Sequence, residues 1–337
     1  MLRLTRRLYQ QIRHSGHIQH WQKCVSPTRS CHTEFKKTSV TSSGLEYMVY
    51  YEEYGPAEPA GVVMCFHGDP GASSNFQELL QPLVDRNLRI IIPNFPGYGT
   101  THATKDSSGK SDSLDRDGRS QLMSDFIDSL QLKRLDVVVS HSAGTWSGIT
   151  VSAHHPAVKS VCFMNPCAHR PHRALRPFKF KRWCCGLLHT PLKIVVQPLL
   201  LTIYKLIGFT SSFDIRQLVT SALVSFALDF KKINEDIRLL KARNLPSVVV
   251  MTKNDKIVEW SVQYELGSLI GIPHEHCVEY NRDGGATQGE KNKDFLVYGT
   301  FKKALSFARG GHYVQRSYKE EISRHIVQLI ENAKNPV

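Results

Sequence analysis

Residues 135–145 read LDVVVSHSAGT. The apolar, β-branched run that opens this stretch is a short buried strand. It gives way without a linker to Ser140, His141, Ser142, Ala143 and Gly144, and then to a helical pattern. A strand that turns straight into a helix over small residues holds its middle serine on a strained turn with the hydroxyl exposed. The small neighbours are needed because the backbone there approaches itself closely. The strict form of this turn, GxSxG, has glycine where this chain has Ser140, and serine is small enough to make the stretch a variant of it. Taken alone, a strand ending in Ser and Gly is also ordinary turn chemistry.

Outward from this turn, strand-like and helix-like segments alternate, which predicts a mostly parallel sheet flanked by helices. The clearest strands are Gly61–Phe66, Leu88–Pro93, Arg134–Ser140, Val158–Met164 and Pro246–Thr252, and the clearest helices are Asn75–Arg86, Arg119–Leu132 and Tyr318–Asn332. Residues 101–118 and 281–293 are polar and Gly-rich, so they read as surface loops. Residues 169–241 break the rhythm differently: a basic opening, HRPHRALRPFKFKRW, leads into an apolar and apparently helical stretch.

Three further features place chemistry near Ser142. The strand Gly61–Phe66 runs into His67, Gly68, Asp69, Pro70 and Gly71, a loop able to present a backbone amide to an oxyanion. Pro70 has no N–H, so Asp69 is the expected donor, joined by the amide of Ala143. Asp255 follows the strand Pro246–Thr252, and His312 follows Gly310, Gly311 and the apolar segment Ala304–Ala308. Singly, Asp255 reads as an Asx turn and His312 as a loop histidine. Together, the order serine, acid, histidine, each after a strand, is that of nucleophilic acyl transfer on an α/β sheet.

Through CFHGDPG, IPNFPGYGTT, VVVSHSAGT, TKNDKIVE and FARGGHYV, the chain resembles the α/β-hydrolase superfamily over residues 44–337. NPCAHRPHRALRPF at residues 165–178 is similar to an uncharacterised nematode group of that superfamily. The resemblance implies a mostly parallel eight-stranded sheet flanked by helices, with a core of residues 44–168 and 242–337 and residues 169–241 inserted as a helical cap. It also implies that Ser142 is the nucleophile, Asp255 the acid and His312 the general base, with no cofactor or metal. Epoxide hydrolases and haloalkane dehalogenases share the HGxP loop but need Asp at the nucleophile, where this chain has Ser142. The expected activity is that of a serine hydrolase cleaving a small-molecule acyl or aryl ester, or a thioester. A non-catalytic ligand-binding protein on the same fold is the alternative, and a lyase or cofactor-free oxygenase is a lesser one. Asp69 departs from the apolar residue common at that position in esterases. A carboxylate facing the pocket would repel anionic substrates.

The formal charge of +13 does not indicate nucleic-acid binding. Residues 1–33 hold six Arg or Lys and no acid, residues 137–213 hold nine and no acid, and these two blocks account for more than the whole excess. The first block carries Leu4, Leu8 and Ile12 on one helical stripe among Arg3, Arg6, Arg7 and Arg13. That pattern is how a mitochondrial targeting leader reads, with a basic tail on a cytoplasmic protein as the alternative. The second block marks the cap as a possible peripheral membrane contact, against the simpler reading of a solvated basic face. Eight cysteines without a CxxC pair argue against a disulfide scaffold, structural zinc or thioredoxin-type chemistry. His274 and His276 read as a solvated loop pair, and adjacent Cys184 and Cys185 as free thiols rather than an acylation site. The most apolar stretch, Ile194–Phe209, contains Pro198 and Lys205 and is shorter than the ~20 residues that cross a bilayer.

Overall fold

The computed structural model describes residues 34–98, 101, 115–207, 215–286 and 295–335. The leader at 1–33, Gly99, most of the loop at 101–118, residues 287–294 including Asp294, and the side chains of Leu206 and Ile207 lie outside the described residues.

The strands are β1 (Glu34–Ser42), β2 (Leu45–Tyr54), β3 (Gly61–Phe66), β4 (Leu88–Pro93), β5 (Val137–His141), β6 (Val161–Met164), β7 (Ser247–Thr252), β8 (Cys277–Tyr280), β9 (Leu296–Val297) and β10 (Thr300–Phe307). They form one sheet in the order β1-β2-β4-β3-β5-β6-β7-β10-β8, with β9 paired to β10 beside that path. β1 and β2 are antiparallel to each other, and β2 is antiparallel to β4. From β4 to β8 every neighbour is parallel. The central strands are buried throughout their length, as in VVVSH of β5 and SVVVMT of β7, because helices cover both faces.

The helices in chain order are α1 (Gln77–Val84), α2 (Arg116–Ser129), α3 (Gly144–His154), α4 (Phe178–Gly186), α5 (Lys193–Ile207), α6 (Ile215–Ala227), α7 (Phe230–Ala242), α8 (Trp260–Leu269), α9 (Val314–Ser317) and α10 (Lys319–Lys334). Leu79 and Leu83 of α1 join Ile322, Ile326, Leu329 and Ile330 of α10 in the core on one face. The α10 residues recur at helical spacing and are fully or almost fully buried, each contributing about 2 kcal/mol of burial. The other face carries Leu122 and Phe126 of α2, Trp146 and Ile149 of α3, Ile233 and Ile237 of α7, and Val262 and Leu266 of α8.

The structure differs from the sequence expectation at four places. The core begins at Glu34 rather than Gly44, since Ser43 (φ 51°) and Gly44 (φ 81°) make the two-residue turn of the β1–β2 hairpin. β1 is an edge strand whose pattern, EFKKTSVTS, buries only Val40 and Ser42, so it lacks the apolar run of an inner strand. Beyond the eight strands β1–β7 and β10, the short β8 and β9 extend the far edge. Of residues 169–241, expected as a cap, α7 belongs to the core, burying Ile233, Ile237 and Leu240 in it. Asp236 of α7 accepts from Arg116 of α2 (2.7 Å) and Thr150 of α3 (2.7 Å). A helix is needed there because the parallel neighbours β6 and β7 require a crossover on the sheet face. α2 also starts inside the region read as loop, because the Asp115 carboxylate accepts from Gly118 N at 2.9 Å and caps it.

A Cβ built at Gly148 of α3 would collide with Ser140 Oγ, and nothing else lies closer to it than Ser140 Cβ at 3.0 Å and Phe163 at 3.5 Å. Gly148→Ala is expected to lose about 2 kcal/mol in urea unfolding through overpacking. The same change made in a Ser140→Gly background, where the clashing atoms are gone, is expected to cost less than half as much. Equal losses in the two backgrounds would refute the contact.

Candidate active site

Ser142 follows β5 directly and adopts φ 53°, a left-handed conformation that costs a serine about 1–2 kcal/mol. The surroundings hold it there. Ser142 N donates to Met164 O (3.0 Å), and Ser142 O accepts from Thr145 N (3.1 Å) and Cys167 N (3.0 Å). A Cβ at Gly144 would run into the carbonyl oxygens of Phe66 and His67, so only glycine lets α3 start this close to β3.

The structure brings Ser142, His312 and Asp255 together from three strand ends. His312 Nε2 lies 2.8 Å from Ser142 Oγ, and His312 Nδ1 lies 2.8 Å from Asp255 Oδ2. The Asp255 side chain is completely buried. Its Oδ1 accepts from the amides of Ile257 (2.8 Å) and Val258 (3.1 Å), and its Oδ2 also accepts from Asn165 Nδ2 (3.2 Å) and Gln263 Nε2 (3.1 Å). Burial alone would raise its pKa. The bond from His312, the positive field of that ring and the two amides outweigh burial and hold the carboxyl below the usual value.

Several positioning residues escape a reading of motifs. Asn165, after β6, donates to Gly311 O (2.6 Å) as well as to Asp255. Thr252 Oγ1 donates to Gly311 O (2.7 Å), and Gly311 N donates to Asn254 Oδ1 (2.9 Å). His141 Nε2 donates to His312 O (2.8 Å), and burial pushes the pKa of His141 down to about 3, so the ring is neutral. The backbone on both sides of the His312 ring is thereby fixed. The available signal was local: Asn165 and Asn254 each stand at or just past the end of a parallel strand.

The Asp69 carboxylate does not face a substrate. It is bound by Arg119 Nη1 (2.7 Å) and by the Tyr98 hydroxyl, and the side chains of Asp69 and Arg119 are only 5% and 4% exposed. The residue as a whole is more exposed than its side chain, so its main chain faces the cavity beside Ser142. Among the described residues the amides of Asp69 and Ala143 donate to no other group.

A cavity of about 290 Å³ rises from Ser142, Asp69 and Ala143 among α4, α5 and α6. Its walls are largely apolar, with Trp146, Leu175, Leu188, Leu199, Leu200 and Ile203 among them. Cys184 and Cys185 also face this cavity. Cys167 Sγ lies 3.8 Å from Ser142 Oγ, and burial raises its pKa far above the ordinary thiol value, so it stays protonated. Among the described residues no group of three or more His, Cys, Asp or Glu is placed to hold a metal ion. His276 is engaged through Nδ1 with Lys302 O (2.9 Å).

A sheet of this order, with a serine turn after its fifth strand, is that of an α/β hydrolase. Residues 30–331 match the family described as "Alpha/beta hydrolase of unknown function (DUF1057)", and the chain belongs to it. The uncharacterized protein F35H12.5 of Caenorhabditis elegans is 20% identical over 326 residues, 92% of this chain and 86% of that protein. An esterase from Exiguobacterium antarcticum superposes with a TM-score of 0.60 at 12% identity, covering 88% of this chain and 100% of the other. The meta-cleavage product hydrolase CumD from Pseudomonas fluorescens IP01 gives a TM-score of 0.55 at 16% identity, covering 88% and 98%. Both solved structures are alike to this chain in fold.

The left-handed backbone at Ser142 has a measurable signature. Ser142→Gly is expected to be more stable than Ser142→Ala by about 1 kcal/mol, the reverse of their order in a helix or strand. Urea unfolding of the two variants measures it, and an Ala variant as stable as the Gly variant would mean the turn is unstrained.

Proposed function

We propose that this chain is a serine hydrolase that cleaves a carboxylic ester or thioester through an acyl-enzyme on Ser142. The observation that carries this reading is the hydrogen-bonded series from Asp255 through His312 to Ser142, a strained serine at the floor of an apolar cavity.

In this reading His312 Nε2 accepts the Ser142 proton as Oγ attacks the substrate carbonyl. The negative charge that develops on the carbonyl oxygen is met by the amides of Asp69 and Ala143, each worth ~3 kcal/mol of transition-state stabilisation. His312 then gives its proton to the departing alcohol or thiol. Water, deprotonated by the same ring, attacks the acyl group and releases the acid and free Ser142. Asp255 keeps the Nδ1 proton on His312 and stabilises the ring while it is charged. The binding of the Asp69 carboxylate by Arg119 and Tyr98 removes the repulsion of anionic substrates that its charge alone would suggest.

A fluorophosphonate probe is expected to label the native protein, and the folded Ser142→Ala variant is expected to lose labelling and hydrolysis together. A folded native protein that never labels would return the chain to the ligand-binding alternative. Asp255→Asn is expected to lower kcat by roughly 10³- to 10⁴-fold. Asp283→Asn, an exposed position in a turn closed on Asn281, is expected to stay near native activity. The reverse order would reject Asp255 as the acid.

The cap residues Leu200 and Ile203 line the cavity wall, and a pocket of this kind discriminates by ~1–3 kcal/mol per methylene. Activity on p-nitrophenyl esters is expected to peak at medium or longer acyl chains, and Leu200→Ala or Ile203→Ala to move the optimum. A preference for acetate untouched by either change would mean that these residues only pack the cap.

A further inference from the structure

Among the described residues, seven of the twelve exposed large hydrophobic ones lie between 180 and 203: Phe180, Trp183, Leu192, Ile194, Val195, Leu199 and Ile203. They belong to α4, to α5 and to the link between them. Phe180 and Trp183 stack with ring centroids 6.2 Å apart, and Val195, Leu199 and Ile203 follow at i, i+4 and i+8 along one side of α5. Ile194 is 76% exposed and Trp183 65%, levels at which single apolar residues are common but a cluster of seven is not.

The cations around this cluster fall into two groups. Arg170 pairs with Glu265, Arg176 with Glu259, and Lys181 turns in to donate to Ala174 O. Lys179, Arg182 and Lys193 are exposed and, among the described residues, make no ion pair. They flank Phe180, Trp183 and Ile194 directly in sequence, and no acid occurs from residue 137 to 213. An aromatic and aliphatic face rimmed by unpaired cations complements a surface that is apolar inside and anionic outside. A second copy of the chain would instead bring two sets of the like charges Lys179, Arg182 and Lys193 together.

We propose that the outer face of α4 and α5 docks on an anionic lipid bilayer. Trp183, Ile194 and Val195 enter the interface, and Lys179, Arg182 and Lys193 meet the headgroups. The cavity above Ser142 opens within the same face, since Phe180, Leu199 and Ile203 are both exposed and part of its lining. On the hydrolase reading given above, on which this step rests, the substrate is an amphiphilic ester that passes from the bilayer to Ser142 without crossing water.

The test uses the full chain and two variants that leave the cavity lining intact. One is Trp183→Ser, Ile194→Ser and Val195→Ser combined; the other is Lys179→Glu, Arg182→Glu and Lys193→Glu combined. Co-sedimentation with vesicles of phosphatidylcholine and phosphatidylserine is expected to lose at least about tenfold in partitioning for each variant. Pure phosphatidylcholine vesicles are expected to bind the native chain weakly, and Trp183→Phe to remove a component of fluorescence quenched by brominated lipid. Hydrolysis of a vesicle-embedded ester is expected to fall in both variants, while fluorophosphonate labelling and hydrolysis of a soluble short ester stay unchanged. Vesicle binding equal in the native chain and both variants, with labelling intact, would overturn the docking face and leave the hydrolase reading standing. Concentration-dependent dimerisation in the absence of lipid, lost in the serine variant, would overturn it in favour of a second copy. Cap-dependent vesicle binding by a protein that never labels would leave the face and remove the hydrolase reading.

Discussion

Between Ser140 and Gly148 the chain passes from strand to helix in a space that has no room for a Cβ at Gly144 or Gly148. This crowding is the constraint on which the site depends. It presses the start of α3 against the carbonyls of Phe66 and His67, and it leaves Gly68 so near that a Cβ there would lie 3.2 Å from Ser142 Cβ. The main chain of Asp69 and that of Ala143, from segments more than seventy residues apart, therefore line the same end of one cavity. The left-handed Ser142 costs about 1–2 kcal/mol, and the fully buried residues of β3, β5 and α3 around it offset that many times over. Strain of this size persists only where the surrounding packing over-determines the backbone.

The second dependence is on Asp255. A carboxylate with no exposed side-chain surface is unfavourable unless nearly every lone pair is engaged, and here two amides and three side chains converge on it. Those partners are also what fix its neighbours. Asn165 binds the acid and the carbonyl just before His312 with one amide group, so the acid and the ring cannot drift apart without breaking a buried bond.

What was legible in the sequence follows from where each residue's information resides. β3, β4, β5, β6 and β7 lie inside the sheet and are largely buried, so each is a near-continuous apolar run readable without context. β1 is an edge strand, and β8 has four residues of which only Val278 and Tyr280 are buried, so neither carries such a run. Ser142, Asp255 and His312 were readable because each stands just after a strand, in a fixed chain order. Asn165 and Arg119 were not, since Asn165 is 90 residues from Asp255 and Arg119 is 50 from Asp69, and only the folded sheet makes them neighbours. The end of the cap was illegible for a related reason. α7 is amphipathic like the helices before it, and only the burial of Ile233, Ile237 and Leu240 among residues distant in sequence assigns it to the core.

The charge state of the site follows from burial. His67 and His172 have their pKa values lowered to about 4 by burial, and His141 to about 3, so all three rings near Ser142 are neutral at physiological pH. The Cys167 thiol is kept protonated by the same cause. Asp69 and Arg119 cancel each other across 2.7 Å, with the Tyr98 hydroxyl on the same carboxylate and 3.2 Å from Gln217 O of α6 in the cap. What remains beside Ser142 is one fixed negative charge, Asp255, on the far side of His312. On the hydrolase reading, a negative charge developing on the opposite side of Ser142 would meet the dipoles of the two backbone amides of Asp69 and Ala143.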